Sequence, residues 1–94
     1  MKLSDYVDGA HGRQTEIAAA IERQPQLVWQ WARGVRRVPS DLCPGFERAT
    51  GGAVTCEELR PDEPWRRIPD KAWPNPKGRP VLDFAALAPV REAA

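Results

Sequence analysis

Proline placement decides where helices can run in this chain. Pro61, Pro64, Pro69, Pro74, Pro76 and Pro80 punctuate residues 61–80. Proline lacks an amide hydrogen and clashes with the preceding turn, so that stretch cannot sustain a helix. It reads as an arm or extended wrap, in which "PVLDF" can supply one short strand at 81–84. Pro25 acts in the opposite sense. It disfavours helical geometry at Gln24, yet its fixed φ suits the first position of a new helix, so one helix ends and another starts there.

Apolar spacing supplies the helices. Leu3, Tyr6 and Val7 stand at i, i+3 and i+4, predicting a short first helix that Gly9 and Gly12 bring to an end. From Arg13, "RQTEIAAAIE" is rich in strong helix formers and lines up Ile17, Ala18 and Ile21 in one stripe. A third helix runs from Pro25 to a left-handed C-cap at Gly34, with Leu27, Val28 and Trp31 as its stripe. "SDLCPGFERATGG" predicts a fourth, closed by Gly51 and Gly52, and Thr55 with Glu58 makes a capping box for one more turn that Pro61 stops. The expected architecture is all-α, about five short helices over residues 1–64, with residues 65–94 as an extended Pro-rich arm.

A chain of 94 residues buries only about 60% of its unfolded surface and leaves little room for a substrate cleft. It reads as a binding module, with no catalytic residues and no cofactor. Cys43 and Cys56 lie far apart without CxxC spacing, and His11 is the sole histidine, so no zinc site or disulfide framework is supported and reduced, partly buried thiols are expected. No apolar run approaches a membrane span, and "MKLSDYVDGA" carries an acid where a signal peptide would be apolar. A cytoplasmic protein without a membrane partner follows.

Charge is unevenly spread. The net +1 divides into −2 over residues 1–22, +4 over 23–40, −4 over 41–64 and +3 over 65–94. Arg23, Arg33, Arg36 and Arg37 form the basic block with no acid among them. Such a block is the footprint of phosphate contact, although a solvated arginine face would look similar.

Two helices joined by a tight turn, small residues on the first and basic charge on the second, point to a helix-turn-helix. Gln14 through Arg33 resembles the motif of phage Cro/CI-type repressors. "VWQWARGVRRVPSDLCPGFERATGGAVTCEELRPDEPW" is similar to the YdaS-like branch of that superfamily, small prophage-encoded regulators also described as antitoxin-like. The resemblance covers roughly Leu3 to Trp65. It implies that Ala18 is the small residue at the helix crossing, that Ile17, Ile21, Val28 and Trp31 are core, and that Gln24 begins the recognition helix. The sequence departs from the pattern at the turn, with Glu22 in the usual glycine position and Arg23 in a usually apolar one. A non-glycine residue in left-handed geometry costs about 1–2 kcal/mol.

Within that motif the two tryptophans separate. At about 100° per residue, Trp29 and Trp31 point to nearly opposite faces. If Leu27, Val28 and Trp31 face inward, then Gln26, Trp29, Gln30 and Arg33 face outward beside Gln24 and Pro25. Glutamine can bond adenine bidentately, arginine can bond guanine, and an indole can meet a thymine methyl. Gln14 and Thr15 would meet phosphate at the start of the second helix, with Arg36 and Arg37 as flanking phosphate clamps. The expected partner is a double-stranded DNA operator read in the major groove by a homodimeric repressor. Other readings stay open. Trp29 could cover a core edge or a dimer contact, the glutamines and arginines could be solvated, and the fold could serve as an antitoxin-like or adaptor module for a protein partner. RNA is the third choice, since no stacking sheet of aromatics is visible. "KGRP" at Lys77 to Pro80 resembles an AT-hook core, against the plainer reading of a glycine-proline turn.

Overall fold

The computed structural model describes residues 1–83. Five α-helices follow one another: α1 (Leu3–Asp8), α2 (Arg13–Ile21), α3 (Pro25–Ala32), α4 (Cys43–Ala49) and α5 (Cys56–Leu59), with a 3-10 turn at Ser40–Leu42 leading into α4. Two antiparallel strands come after them, β1 (Trp65–Ile68) and β2 (Arg79–Leu82).

Each helix ends where its backbone chemistry requires. Gly34 adopts φ +76°, and the amides of Gly34 and Val35 donate back to Trp31 and Gln30 at 3.2 and 2.9 Å, a Schellman closure of α3. The same closure ends α2, but without glycine. Glu22 takes φ +58°, and the Arg23 amide reaches the Ala18 carbonyl at 2.9 Å. The turn therefore keeps left-handed geometry and accepts a Cβ there. Thr55 and Glu58 form the capping box at the start of α5.

The helices share one apolar core. Ile17, Ala18 and Ile21 of α2 meet Val28 of α3, Phe46 of α4, and Val54 and Cys56 beyond it, all buried together with Leu3, Val38 and Cys43. Trp31 lays its ring edge-on to Phe46 at 5.6 Å between centroids. Gly45 brings α4 onto α2 so closely that a Cβ there would lie 3.1 Å from the Ile21 side chain. Leu27 and Trp31 are both half-buried, and of the two Trp31 packs against the buried cluster, so the inward stripe of α3 rests on Val28 with Trp31 at its margin. Cys43 and Cys56 are both free and buried, and the neighbouring Cys43 sulfur together with burial pushes the Cys56 thiol well up.

The all-α expectation is corrected by the hairpin. β2 begins at Arg79, two residues before the expected strand at 81–84, of which Phe84 lies outside the described residues. It pairs with β1, which was expected only as arm, placing Trp65 opposite Leu82 and Arg67 opposite Pro80. A two-stranded ribbon has open edges, where a proline without an amide is tolerated.

What ties the ribbon to α4 is polar, while Trp65 of β1 also packs against the apolar core. Glu47 of α4 is fully buried, and its carboxylate accepts from the Arg67 guanidinium (2.7 Å at Oε1), from the Trp73 indole at 2.6 Å and from the Cys56 amide at 3.0 Å. Arg67 also reaches Glu57 at 2.6 Å and the Gly78 carbonyl at 2.9 Å. Burial alone would raise the Glu47 carboxyl, but hydrogen bonds from Arg67, Trp73 and Cys56 and the Arg67 charge hold it below its ordinary value. Trp65 is tied by its indole N–H to the Arg60 carbonyl at 2.9 Å.

Lys77 to Pro80 belongs to this ribbon. Gly78 is buried at φ +99°, with a would-be Cβ only 2.1 Å from the Ile68 carbonyl oxygen, so the segment is a glycine turn into β2.

Candidate nucleic-acid interface

α2 and α3 pack against each other across the Glu22–Gln24 turn, and Gln14 secures the far side of the pair. Its side-chain amide donates to the Pro25 carbonyl at 3.0 Å, tying the first turn of α2 to the first turn of α3. Gln14 thus spends a donor inside the protein. Thr15 is exposed beside it, and no side chain caps the first turn of α2, whose leading amides have no partner within the helix.

The outer face of α3 follows its phase at Gln26 and Trp29, and Gln30 departs from it. Val28 is fully buried while Trp29 retains 45% of its surface, the largest aromatic exposure among the described residues. Gln24, Pro25 and Gln26 are exposed at the N-terminal end. Gln30 is half-buried, and its Oε1 is enclosed without a hydrogen-bond partner. Arg33, at the C-terminal end, is held by Asp8 of α1: Nη2 to Oδ1 at 2.7 Å and Nη1 to Oδ2 at 3.1 Å. These bonds hold the Asp8 carboxyl below its usual range. An open groove of about 340 Å³ gathers Asp8, His11, Gln14, Thr15 and Arg33 on this side.

Arg36 and Arg37 lie elsewhere. They line a second groove of about 310 Å³ with Lys2, Trp31, Val38 and Leu59, on the Trp31 side of α3. Arg37 pairs with Asp62 at 3.2 Å, whereas no carboxylate is within pairing distance of Arg36 among the described residues. Arg23 turns to the Glu22 carbonyl at 3.0 Å. The basic block is therefore partly neutralised by acids from before and after it in the chain.

Two contributors escape sequence reasoning. Asp8 lies 25 residues from Arg33, beyond any helical spacing. Arg13 donates to the Tyr6 carbonyl at 2.8 Å and lies over the Tyr6 ring at 4.2 Å, fixing α1 to α2 instead of facing solvent.

The comparisons with known proteins agree with this geometry. A family model described as "Bacterial toxin YdaS" matches residues 5–68. The chain belongs to the YdaS family. An Escherichia coli (strain K12) relative described as "Putative transcriptional regulator YdaS" is 50% identical over 54 residues, covering 57% of this chain and 55% of its own length. The chain thus spans about half of that relative. Among solved structures, the "Cro protein from putative prophage element Xfaso 1" of Xylella fastidiosa strain Ann-1 superposes with a TM-score of 0.50 at 34% identity, over 66% of this chain and 94% of that one. This YdaS family member therefore carries a Cro-type helix-turn-helix, and the family match reaches to the end of β1. No helix among its described residues is long and apolar enough to cross a membrane.

Proposed function

We propose that this protein is a cytoplasmic, sequence-specific DNA-binding transcriptional regulator that represses by occluding a promoter. α3 enters the major groove and offers Gln24, Gln26, Trp29, Gln30 and Arg33 to base edges, while Gln14, Thr15 and the open amides of α2 meet phosphate. Arg36 and Arg37 add sequence-independent phosphate contacts. One short helix supplies little specificity, so the operator is a pseudo-palindrome bound by a homodimer. No catalysis is part of this reading.

The observation that carries it is the exposed Trp29 among exposed glutamines, on a helix whose opposite face packs Val28 and Trp31 into the core. An exposed indole among amide side chains offers apolar contact to a thymine methyl beside amide contacts to base edges. The names of the E. coli relative and the Xylella Cro protein support the same reading. The test is anisotropy titration of a labelled random duplex of about 20 base pairs, two helical turns, over a series of salt concentrations. A binding constant whose logarithm falls linearly with log salt supports the proposal, and no binding at low salt overturns it.

A second reading is an antitoxin-like or adaptor module. The toxin description of the family leaves room for it, and a groove lined by Leu3, Trp31, Val38 and Leu59 together with Lys2, Arg36 and Arg37 is the surface it would use. On that reading Arg36→Ala with Arg37→Ala abolishes protein partner capture and leaves duplex binding untouched.

A further inference from the structure

We propose that Asp8 is an internal competitor of DNA, its carboxylate occupying the terminal fork of Arg33 and so lowering affinity for any duplex that this arginine contacts. The inference rests on the reading of α3 as the recognition helix.

The geometry is bidentate. Nη1 and Nη2, the end-on pair of donors, each meet one oxygen of the same carboxylate at 3.1 and 2.7 Å. That pair is also the edge with which an arginine grips guanine O6 and N7, or two phosphate oxygens. While Asp8 holds it, Arg33 has no end-on donor to give.

Asp8 has little other reason to stand where it does. It is the last residue of α1, where the negative end of the helix dipole disfavours an acid, and no basic residue occupies that turn. It also lies in the groove shared with Thr15 and Gln14, where an approaching phosphate would be repelled. The Arg33 pair is the contact that offsets both.

The consequence reaches both classes of DNA. On random duplex, a guanidinium released from Asp8 would take a phosphate anywhere along the backbone. On a preferred site Arg33 exchanges the carboxylate for a base edge, and the broken pair is a cost to that binding which removing Asp8 takes away. Asp8 therefore depresses both kinds of binding, the selected one at least as strongly as the random one.

The experiment uses the full chain as wild type, Asp8→Asn, Arg33→Ala and the double variant. Each is titrated against a random duplex and against the duplex that wild-type protein selects from a randomised pool, at several salt concentrations. Asp8→Asn is expected to bind random duplex several-fold more tightly and to steepen its salt dependence by about one phosphate contact, a slope change of about 0.9. Its preference for the selected duplex is kept or widened, its melting temperature is unchanged, and most of the random-duplex gain is lost in the Arg33→Ala background, where only relief of the repulsion between Asp8 and phosphate remains. An equal gain without Arg33 would reduce Asp8 to a distant charge and overturn the proposal. Weaker binding by Asp8→Asn would make the carboxylate a support for Arg33 on DNA, which also overturns it. If wild type binds duplex but Asp8→Asn matches it, this inference alone fails. If wild type binds no duplex, the DNA reading fails as well.

Discussion

The helical part of the molecule and its hairpin are attached to the same short helix by opposite chemistry. Phe46 of α4 faces α2 and α3 and closes an apolar core with Ile17, Ala18, Val28 and the Trp31 ring. Glu47, the next residue, is equally buried and serves the other side, gripping Arg67 of β1 and Trp73 of the connecting loop. Apolar packing is non-directional and tolerates adjustment, whereas a buried carboxylate needs each of its partners. The helix-turn-helix should therefore respond to lost volume, and the hairpin to lost charge.

The largest effects test that contrast on adjacent residues. Phe46→Ala should cost about 3–5 kcal/mol through the cavity left among α2, α3 and α4. Glu47→Ala should cost a similar 3–5 kcal/mol, because Arg67 is left without its buried partner. Denaturant titration of both variants measures this, and a well-folded Glu47→Ala would show that the ribbon is attached by something else. Acid separates the two. Because Glu47 titrates below its ordinary value in the fold, its contribution is fully present above about pH 4.3 and is lost as pH falls through the lowered folded value. Glu47→Gln should flatten the acid limb of a stability-versus-pH curve, and a conservative Phe46→Leu should leave its shape intact.

A smaller effect separates the two tryptophans of α3. Trp31→Ala should lower stability by about 3 kcal/mol. Trp29→Ala should change it by about 0.5 kcal/mol or less while weakening binding to a selected duplex by about 1–3 kcal/mol. Melting curves beside anisotropy titrations decide the matter, and a Trp29→Ala loss of stability that accounts for the loss of binding would make that indole structural. The smallest effect is at the turn. Glu22→Gly should stabilise by less than about 1 kcal/mol, since relief of left-handed strain is partly offset by the freer unfolded chain.

The same contrast governs what the sequence made legible. α2 and α3 follow from the stripes of Ile17, Ala18, Ile21, Val28 and Trp31 and from Pro25, because apolar burial leaves a period in the chain. β1 left no such trace. Trp65 to Ile68 sits between Pro64 and Pro69, spans four residues and carries two arginines, one of them turned inward to Glu47. Nothing local shows that Glu47 is buried, since its partners come from 20 and 26 residues away. In the candidate interface the outward phase of Trp29 was legible from spacing. The capture of Arg33 by Asp8, the internal bond of Gln14 and the separate groove of Arg36 and Arg37 were not, because they depend on how α1, α2 and α5 pack around α3.

Under the proposed function, DNA contact falls on one side of this contrast, at α2 and α3, with the hairpin tied to α4 apart from it. An amide ¹H–¹⁵N titration of the full chain with a random duplex at low salt tests this most directly. The expected shifts concentrate at Gln14 to Glu16, Gln24 to Arg33 and Arg36 to Arg37, with Arg66 to Ile68 and Arg79 to Leu82 unmoved. Shifts centred on the hairpin, with the outer face of α3 silent, would contradict it.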